Sequence, residues 1–374
     1  MATNSLRKYS LFLIFLFFIQ CAYKEKNLEN KGAKLNKIGE KIFKIDSITT
    51  NIPQDIQIFD DGDKVIFVLL NAPKNELQFY DFNSGDLIQK KTLDENFFGK
   101  VSDFYIHNLD SIFISSTTKT SLWLINGQSE ILRTMKINTP IGSSLPIGNE
   151  NVVYSNSKVI VSTQVAIFNS EGIENSPLVF VFDLKNPFTE NQSLEYLNYP
   201  QIYRSSYSPE LGLYYNGFDK KNQKIYHGFS AYDWVYLFDI KTEKLDSLEV
   251  KPILDFSIEP SSPSDLENVN TRQYYYYTNY NYGYILIEPI DRYLLRIFYT
   301  PKYNIKKNEP IKFNELKPKS IIISDLDSGT FKGQFILSDK HNEGLIFSLD
   351  KNIYINKIQD NEDEIIFEIY TIVE

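Results

Sequence analysis

The stretch LQFYDFNSGDLIQKKTL (77–93) joins two runs of β-forming residues through a short polar segment. Leu, Phe, Tyr and Ile dominate the two runs, while the segment between them contains Asp81 and Gly85, which favour tight turns. An Asp at the start of such a turn can accept backbone N–H groups from the residues that follow it. The stretch therefore predicts a β-hairpin closed by the Asp81 side chain.

The same pattern occurs at four other places in the chain. These are LWLINGQSEILRTMKI (122–137), VFVFDLKNPFTENQSLEYL (179–197), VYLFDIKTEKLDSLEV (235–250) and IIISDLDSGTFKGQFIL (321–337). Asp183, Asp239 and Asp325 take the position of Asp81, and Asn126 takes it in the second copy. Five related hairpins predict an internally repeated, all-β protein.

Each hairpin follows one or two further apolar runs, such as KVIFVLLN (64–71) and KVIVSTQV (158–165). Runs that are apolar at every position are typical of strands covered on both faces. The repeating unit is then about four strands in roughly 45–60 residues, which matches a β-propeller blade. The first five blades end near residues 93, 137, 197, 250 and 338.

The C-terminal segment 343–374 supplies only about three strands, and a closed ring cannot leave an open edge there. The early strand KIFKIDSIT (41–49) has no hairpin partner of its own. We therefore predict a six-bladed β-propeller over residues 41–374, with the last blade completed by the N-terminal strand. A seven-bladed ring is the alternative, if 251–338 contains two blades.

The N-terminus has the features of an export signal. Arg7 and Lys8 precede an unbroken apolar run of nine residues, Leu11–Ile19. This run is too short for a membrane-spanning helix, which needs about 20 apolar residues. The only cysteine, Cys21, follows at once, as in bacterial lipoproteins, where that thiol carries the lipid. We predict a signal peptide (1–20), lipidation at Cys21 and a flexible tether (21–40), which hold the protein at the cell envelope, at the outer membrane.

Composition excludes several functional classes. The chain has 39 Lys and Arg against 48 Asp and Glu, a net charge of −9, which argues against nucleic-acid binding. One cysteine and three scattered histidines (His107, His227, His341) favour neither a zinc site nor a histidine base, so these histidines are expected to be at the surface or hydrogen-bonded. The clusters Asp60, Asp61, Asp63 and Asp325, Asp327 are predicted to form turns rather than calcium loops. We predict no catalytic residues, metal or cofactor.

The segment TRQYYYYTNYNYGY (271–284) is the strongest candidate for a binding surface. In an extended chain Tyr274, Tyr276, Tyr280, Tyr282 and Tyr284 would share one face. Arg272 and Arg204, two of the rare arginines, lie in Tyr-rich surroundings. Such residues suit sugars, anions and protein interfaces, although packing between strands is an equally simple role. Arg204, Arg272, Tyr274 and Tyr276 are the candidate ligand-binding residues.

The signal, Cys21, the Lys- and Asn-rich tether and hairpins such as FYDFNSGDLIQKKTL together resemble a family of uncharacterised Bacteroidota lipoproteins, a domain of unknown function similar to TolB-like six-bladed propellers. The resemblance implies an envelope lipoprotein with a propeller fold and carries over Cys21 alone. The leading hypothesis is a non-enzymatic module that binds an envelope protein or a glycan. The alternatives are an enzyme acting on glycans or peptides through carboxylates in the central funnel, and a structural subunit of an envelope complex.

Overall fold

The computed structural model describes residues 32–116, 118–137, 143–144, 150–165, 177–185, 194–204, 212–254, 256, 258, 268–302, 305–307 and 317–374. The chain forms six four-stranded antiparallel sheets arranged in a ring as the blades of a β-propeller. This confirms the predicted six-bladed all-β fold. The seven-bladed alternative is wrong, because the strands described between residues 251 and 338 all belong to one sheet.

Every blade begins with its innermost strand. The strands of blades 1 to 3 are β2 (Asp55–Asp60), β3 (Val65–Asn71), β4 (Glu76–Asp81) and β5 (Leu87–Thr92); β6 (Val101–Asn108), β7 (Ser111–Ser116), β8 (Ser121–Ile125) and β9 (Ile131–Lys136); and β11 (Val152–Ser155), β12 (Lys158–Ser162), β14 (Val179–Asp183) and β15 (Leu194–Tyr196). The strands of blades 4 to 6 are β16 (Tyr214–Asp219), β17 (Lys224–Phe229), β18 (Trp234–Asp239) and β19 (Lys244–Glu249); β20 (Asn281–Glu288), β21 (Tyr293–Tyr299), β22 (Lys319–Asp325) and β23 (Phe331–Leu337); and β24 (His341–Leu349), β25 (Asn352–Lys357), β26 (Glu364–Val373) and β1 (Lys34–Lys44).

Few other elements are present in the described part of the chain. A two-stranded ladder pairs β10 (Ser143–Ser144) with β13 (Gln164–Val165). The helices are α1 (Glu95–Phe98) and α2 (Val269–Thr278), with 3-10 turns at Ala72–Lys74 and Gln201–Arg204. None of the helices in the described residues has the length and apolar character needed to cross a membrane.

The outer hairpins close as their sequences predict. Asp81 accepts the backbone N–H of Ser84 at 2.8 Å, and Asp183, Asp239 and Asp325 accept equivalent N–H groups in their own turns. Asn126 accepts the N–H of Gln128 at 3.0 Å. The side chain that begins each turn thus satisfies the backbone groups that the turn leaves without strand partners.

Apolar clusters fill the boundaries between neighbouring blades. Strand β3 shows how this works, because Val68 and Leu70 pack toward blade 2 while Phe67 and Leu69 pack toward blade 6. Side chains alternate across a strand, so a strand inside the ring needs apolar residues at both odd and even positions. The all-apolar run VIFVLL (65–70) is therefore explained by burial on two faces.

The ring is closed by pairing the two ends of the chain. Strand β1 runs antiparallel to β26 from the pair Lys34–Val373 to the pair Lys44–Glu364 and forms the outermost strand of blade 6. This confirms closure by the N-terminal strand, which begins at Lys34 and ends at Lys44 instead of spanning 41–49. Residues 34–40, expected to be tether, are part of the blade.

Phe43 is the apolar contribution of β1 to the closure. It is fully buried and stacks on Phe67 of blade 1, with ring centroids 4.1 Å apart, and meets Phe367 of blade 6 edge-on at 6.1 Å. Gly85 (φ +80°) in the first hairpin turn lies against the backbone of β1, where a Cβ would come within 2.3 Å of the Ile42 carbonyl oxygen. One strand therefore holds blades 6 and 1 together.

A charged cluster adds to this contact. Glu368 of β26 accepts hydrogen bonds from Lys37 Nζ of β1 at 2.7 Å and from the Tyr370 hydroxyl, and its other close contact is His341 Nε2 at 2.8 Å. Burial alone would raise the pKa of Glu368, but the hydrogen bonds from His341, Lys37 and Tyr370 outweigh it and lower the pKa to about 2. The Glu368 carboxylate is therefore ionised, and both of its oxygens have hydrogen-bond partners in the closed ring.

We expect Phe43→Ala to destabilise the protein by about 3–5 kcal/mol, because it removes a buried ring from the closing interface. The neighbouring Ile42→Ala, at a position that is 40% exposed, should cost less than about 1 kcal/mol and serves as the control. Urea denaturation followed by circular dichroism measures both values. Equal effects of the two substitutions would contradict the role given to Phe43.

Candidate functional site

The first strands of all six blades surround a central channel with a cavity of about 240 Å³. The lining side chains come from β2, β6, β11, β16, β20 and β24 and from the residues next to them: Asp55, Ile56, Gln57, Ile58, Phe104, Tyr105, Glu150, Val152, Val153, Asn216, Phe218, Lys220, Ile285, Leu286, Ile287, Pro289, Gly344, Ile346, Phe347 and Ser348. Central cavities of this kind are where ligands bind most often. The channel is therefore the candidate functional site.

Two carboxyl groups meet where blades 1 and 2 adjoin. Asp55 accepts the backbone N–H of Ile56 at 2.9 Å and that of Phe104 at 3.4 Å. Asp103, which is buried, accepts the N–H of Asn151 at 3.1 Å and forms a side-chain hydrogen bond with Asp55. Burial, and then the Asp55 charge, raise the pKa of Asp103 well above its usual range. Burial therefore favours the protonated form of Asp103, which places a neutral carboxyl group beside Asp55.

A third carboxyl group enters the channel from the start of blade 3. Glu150 Oε2 accepts the backbone N–H of Phe218 in blade 4 at 2.6 Å. The residue is exposed to solvent at the channel. The protein around its carboxyl group nevertheless partly desolvates that group and raises the pKa of Glu150 to about 7, with the Asp55 charge adding to the effect and the Phe218 hydrogen bond opposing it. Glu150 can thus gain or lose a proton near neutral pH.

A buried network of hydrogen bonds holds the Asn216 side chain, which blade 4 contributes to the channel wall. Asn216 donates to Asn151 Oδ1 at 3.1 Å and to Ser162 Oγ at 3.0 Å, and its own Oδ1 lies 2.7 Å from His227 Nδ1. The other ring nitrogen of His227 accepts from the Tyr196 hydroxyl at 3.0 Å. Burial lowers the pKa of His227 to about 3, so the ring is neutral. This hydrogen-bond network holds the Asn216 amide in one orientation at the channel wall.

The channel wall formed by blades 5 and 6 is different in character. It consists mainly of Ile285, Leu286, Ile287, Ile346 and Phe347. Blade 4 approaches this wall closely, since a Cβ at Gly228 would lie 2.5 Å from Ile285. The channel therefore has one arc that carries carboxyl and amide groups and one arc that is apolar.

Three of the candidate residues predicted from the Tyr-rich segments, Arg272, Tyr274 and Tyr276, do not line the channel. Arg272, Tyr274 and Tyr276 lie on helix α2, so the expectation of an extended chain is wrong for this part of the segment. Asn268 caps the helix by accepting the N–H of Asn270 at 2.8 Å. Arg204 ends a 3-10 turn, and its side chain lies outside the described residues.

The structure gives packing roles to several of these tyrosines. Tyr276 packs against the core between blades 3 and 4, as does the 3-10 turn at Gln201–Arg204 through Ile202 and Tyr203. Lys317 Nζ lies 4.7 Å from the centre of the Tyr276 ring and donates to the Tyr276 carbonyl at 2.7 Å. Tyr282 is buried under the Arg296 guanidinium, 3.5 Å from its ring centre. Ligand binding by Arg204, Arg272, Tyr274 and Tyr276 stays a prediction.

The histidines and the acidic turns take the predicted simple roles. His227 and His341 are buried and hydrogen-bonded, and His107 is exposed with its ring against Tyr154. Asp60 and Asp61 accept backbone N–H groups of their own turn. Across the described residues, no group of three or more His, Cys, Asp or Glu side chains is arranged to hold a metal ion.

The channel carboxyls were not identified from the sequence, although one signal was present. Asp103 interrupts the otherwise apolar or small run VSDFYI (101–106), and an acid within a buried strand needs a specific partner. Asp55 begins β2 and Glu150 precedes β11, and a charged residue is ordinary at the end of a strand. Only the ring brings residues so far apart in sequence into one cavity.

We expect Asp103→Asn to be at least as stable as the wild type at pH 7–8. In the wild type the unfolded chain releases the Asp103 proton above about pH 4, whereas the folded chain keeps it, so stability falls as pH rises. The amide group that the substitution introduces cannot ionise but can still donate a hydrogen bond to Asp55. The fall of the unfolding free energy with rising pH, which is up to about 1.4 kcal/mol per pH unit for one such group, should therefore be lost. Urea denaturation between pH 4 and pH 8 measures the difference.

Asp63→Asn, in an exposed turn, is the matched control and should follow the wild type. A constant loss of stability for Asp103→Asn at every pH would show that Asp103 is ionised in the folded protein.

Comparisons with known proteins give the context of this site. The chain matches the family model "Domain of unknown function (DUF4221)" over residues 33–327. No curated protein sequence matches it. A crystal structure of a DUF4221 member from Bacteroides vulgatus ATCC 8482 is similar, with a TM-score of 0.74 at 15% identity, covering 92% of this chain and all of that one.

Two further solved structures share the fold. A "putative exported protein" from Bacteroides fragilis NCTC 9343 aligns with a TM-score of 0.56 at 11% identity, over 93% of this chain and 98% of that one. The calcium-binding protein regucalcin from Agrobacterium tumefaciens aligns with a TM-score of 0.51 at 8% identity, over 90% and 95%. Identities this low indicate a shared fold only. The match over residues 33–327 places this chain in the DUF4221 family of β-propeller proteins, a domain of unknown function.

Proposed function

We propose that this protein is a lipid-anchored propeller of the cell envelope that binds a small molecule in its central channel. The observation that carries the proposal is the channel itself, with fixed carboxyl and amide groups on one arc and an apolar wall on the other. Binding sites combine apolar contact area with a few well-placed polar groups in this way. The rigid ring keeps those groups in position before a ligand arrives.

Export and anchoring are supported by the sequence and by one relative. Arg7, Lys8 and the apolar run Leu11–Ile19 lead directly to Cys21, and the Bacteroides fragilis relative carries a name that describes it as exported. The first strand of the ring begins at Lys34. Residues 22–33 span at most about 40 Å when fully extended, which keeps the propeller close to the membrane that holds the lipid.

Anchoring predicts that Cys21→Ser abolishes lipid attachment without unfolding the propeller. Cells of a Bacteroidota host fed an alkyne-tagged fatty acid should label the wild type and leave the variant unlabelled. Lys44→Ser, at an exposed position in β1, is the control and should be labelled like the wild type. Equal labelling of Cys21→Ser and the wild type would refute lipidation at this cysteine.

Channel binding is tested by filling the channel. We expect Leu286→Trp to place extra volume among the lining residues and to weaken ligand retention at least tenfold, because the indole occupies the space of the ligand. Ile336→Trp, at a position that is 66% exposed, adds the same group outside the channel and should bind normally.

The measurement is native mass spectrometry of the folded proteins after incubation with a defined mixture of amino acids, amines, monosaccharides and short-chain acids. Retention of at least one compound by the wild type and by Ile336→Trp, but not by Leu286→Trp, is the expected result. No retained compound, or equal retention by Leu286→Trp, would contradict the proposal.

A second candidate function is acid–base catalysis on a glycan or peptide. The observation that favours it is the pairing of Asp55 with a protonated Asp103, close to Glu150 with its pKa near 7. Groups that share or exchange a proton near neutral pH are typical of general acid–base sites. This function requires turnover of chromogenic glycosides or peptides by the wild type and its loss in Glu150→Gln. Binding without turnover leaves the first proposal in place.

A further inference from the structure

The chemistry of the channel also limits which ligand fits, provided that the channel binds a small molecule as proposed above. Its lining includes two acidic side chains, Asp55 and Glu150, and one basic side chain, Lys220. Glu150 and Lys220 are both exposed, before β11 and at the end of β16, whereas Asp55 is only 5% exposed. The buried charge of the channel is therefore that of Asp55, and acidic side chains outnumber basic ones two to one in the lining.

Backbone groups hold these carboxyl groups at the wall. The Asp55 carboxylate accepts N–H groups from Ile56 and Phe104, and Glu150 accepts the N–H of Phe218. Each of these bonds joins an acid to the inner strand of its own or a neighbouring blade, so the oxygens cannot move far when a ligand binds. A carboxylate has about four lone-pair positions, so each group can accept further hydrogen bonds from a ligand.

The opposite arc presents mainly apolar side chains to the same ligand. Ile285, Ile287, Ile346 and Phe347 form its surface. Tyr284 packs behind the lining residue Gly344, where a Cβ would lie 3.4 Å from Tyr284 Cε2. This arc offers apolar contact area to the hydrocarbon part of a ligand.

The size of the cavity favours a small ligand. Its volume of about 240 Å³ is below the range of about 300–1,000 Å³ that is typical of sites for drug-sized ligands. An anion would meet the like charges of Asp55 and Glu150, and a neutral ligand would leave both groups without a counter-charge.

We propose that the channel binds a small organic ammonium ion, with its nitrogen between Asp55 and Glu150 and its hydrocarbon part against Ile285, Ile287 and Ile346. An ammonium group supplies several N–H donors to the fixed oxygens of Asp55 and Glu150. The charge-assisted hydrogen bonds that form replace the hydrogen bonds that these groups lose with water. The hydrocarbon part displaces water from an apolar surface.

Three probes of one shape and different charge test this assignment: pentylammonium, pentanol and pentanoate. Isothermal titration calorimetry on the purified full-length protein in detergent should give binding of pentylammonium at least tenfold tighter than that of pentanol, with no binding of pentanoate. Glu150→Gln should reduce the affinity for pentylammonium at least tenfold and leave that for pentanol unchanged. Glu362→Gln removes the same charge from an exposed turn and should change neither.

The pH dependence provides a readout that needs no variant. Glu150, with a pKa of about 7, loses its proton between pH 6 and pH 8, so the affinity for pentylammonium should rise over that range and the affinity for pentanol should not. Asp55→Asn should weaken pentylammonium binding in the same way, and the pH profile tests the assignment if that variant fails to fold.

The outcomes separate this inference from the proposed function. Equal affinity for pentylammonium and pentanol, or preference for pentanoate, overturns the ammonium assignment while channel binding stands. Absence of pentylammonium binding up to 10 mM also overturns the ammonium assignment. Channel binding is then tested independently by the mass spectrometry experiment that compares the wild type with Leu286→Trp.

Discussion

The antiparallel pairing of β1 with β26 is the contact on which the rest of the molecule depends. A propeller buries the faces of its blades only if every blade has two neighbours, so an open ring would expose two apolar faces and an unpaired strand edge. Here one strand contributes backbone hydrogen bonds to blade 6, the Phe43 ring to the boundary with blade 1, and Lys37 to the Glu368 carboxylate. The same strand leads back toward Cys21, so the part of the chain that closes the ring is also its connection to the proposed lipid anchor.

The boundaries between neighbouring blades differ in chemical character from the lining of the channel. The boundaries are dry and apolar, and strands such as β3 meet this demand with apolar residues on both faces. Along the axis the inner strands leave room for side chains that carry charge, provided that each finds hydrogen-bond partners. Asp103, Asn216 and His227 find theirs in neighbouring strands or blades. The polar side chains at and behind the channel wall thus also link neighbouring strands and blades. These hydrogen bonds both hold the site in place and stabilise the ring.

Other buried charges serve the scaffold and not the site. Arg296 of blade 5 donates to the carbonyl groups of Phe229 and Tyr232 at 2.8 Å and to that of Val250 at 3.0 Å, which ties blade 5 to a turn of blade 4. Lys317 does the same for the C-terminal end of helix α2 through the Tyr276 carbonyl. Both cations occupy carbonyl groups that strands or helices leave without partners, so neither is available for a ligand. Arg296 is also one of the rare arginines of the chain, and its contacts give it a structural role.

The sequence by itself determined the blades, because a hairpin needs only local information: apolar residues along each strand and an Asp or Asn that closes the turn. It also determined how the ring closes, since three C-terminal strands need a fourth and one unpaired strand remained. It could not determine the site. Asp55, Asp103 and Glu150 come together only once the inner strands of three blades stand side by side. The Tyr-rich segment forms a helix that Asn268 caps locally and whose last carbonyl groups Lys317 holds from a distant part of the chain. The channel and the Lys317 contact depend on residues distant in sequence, and no local pattern records such contacts.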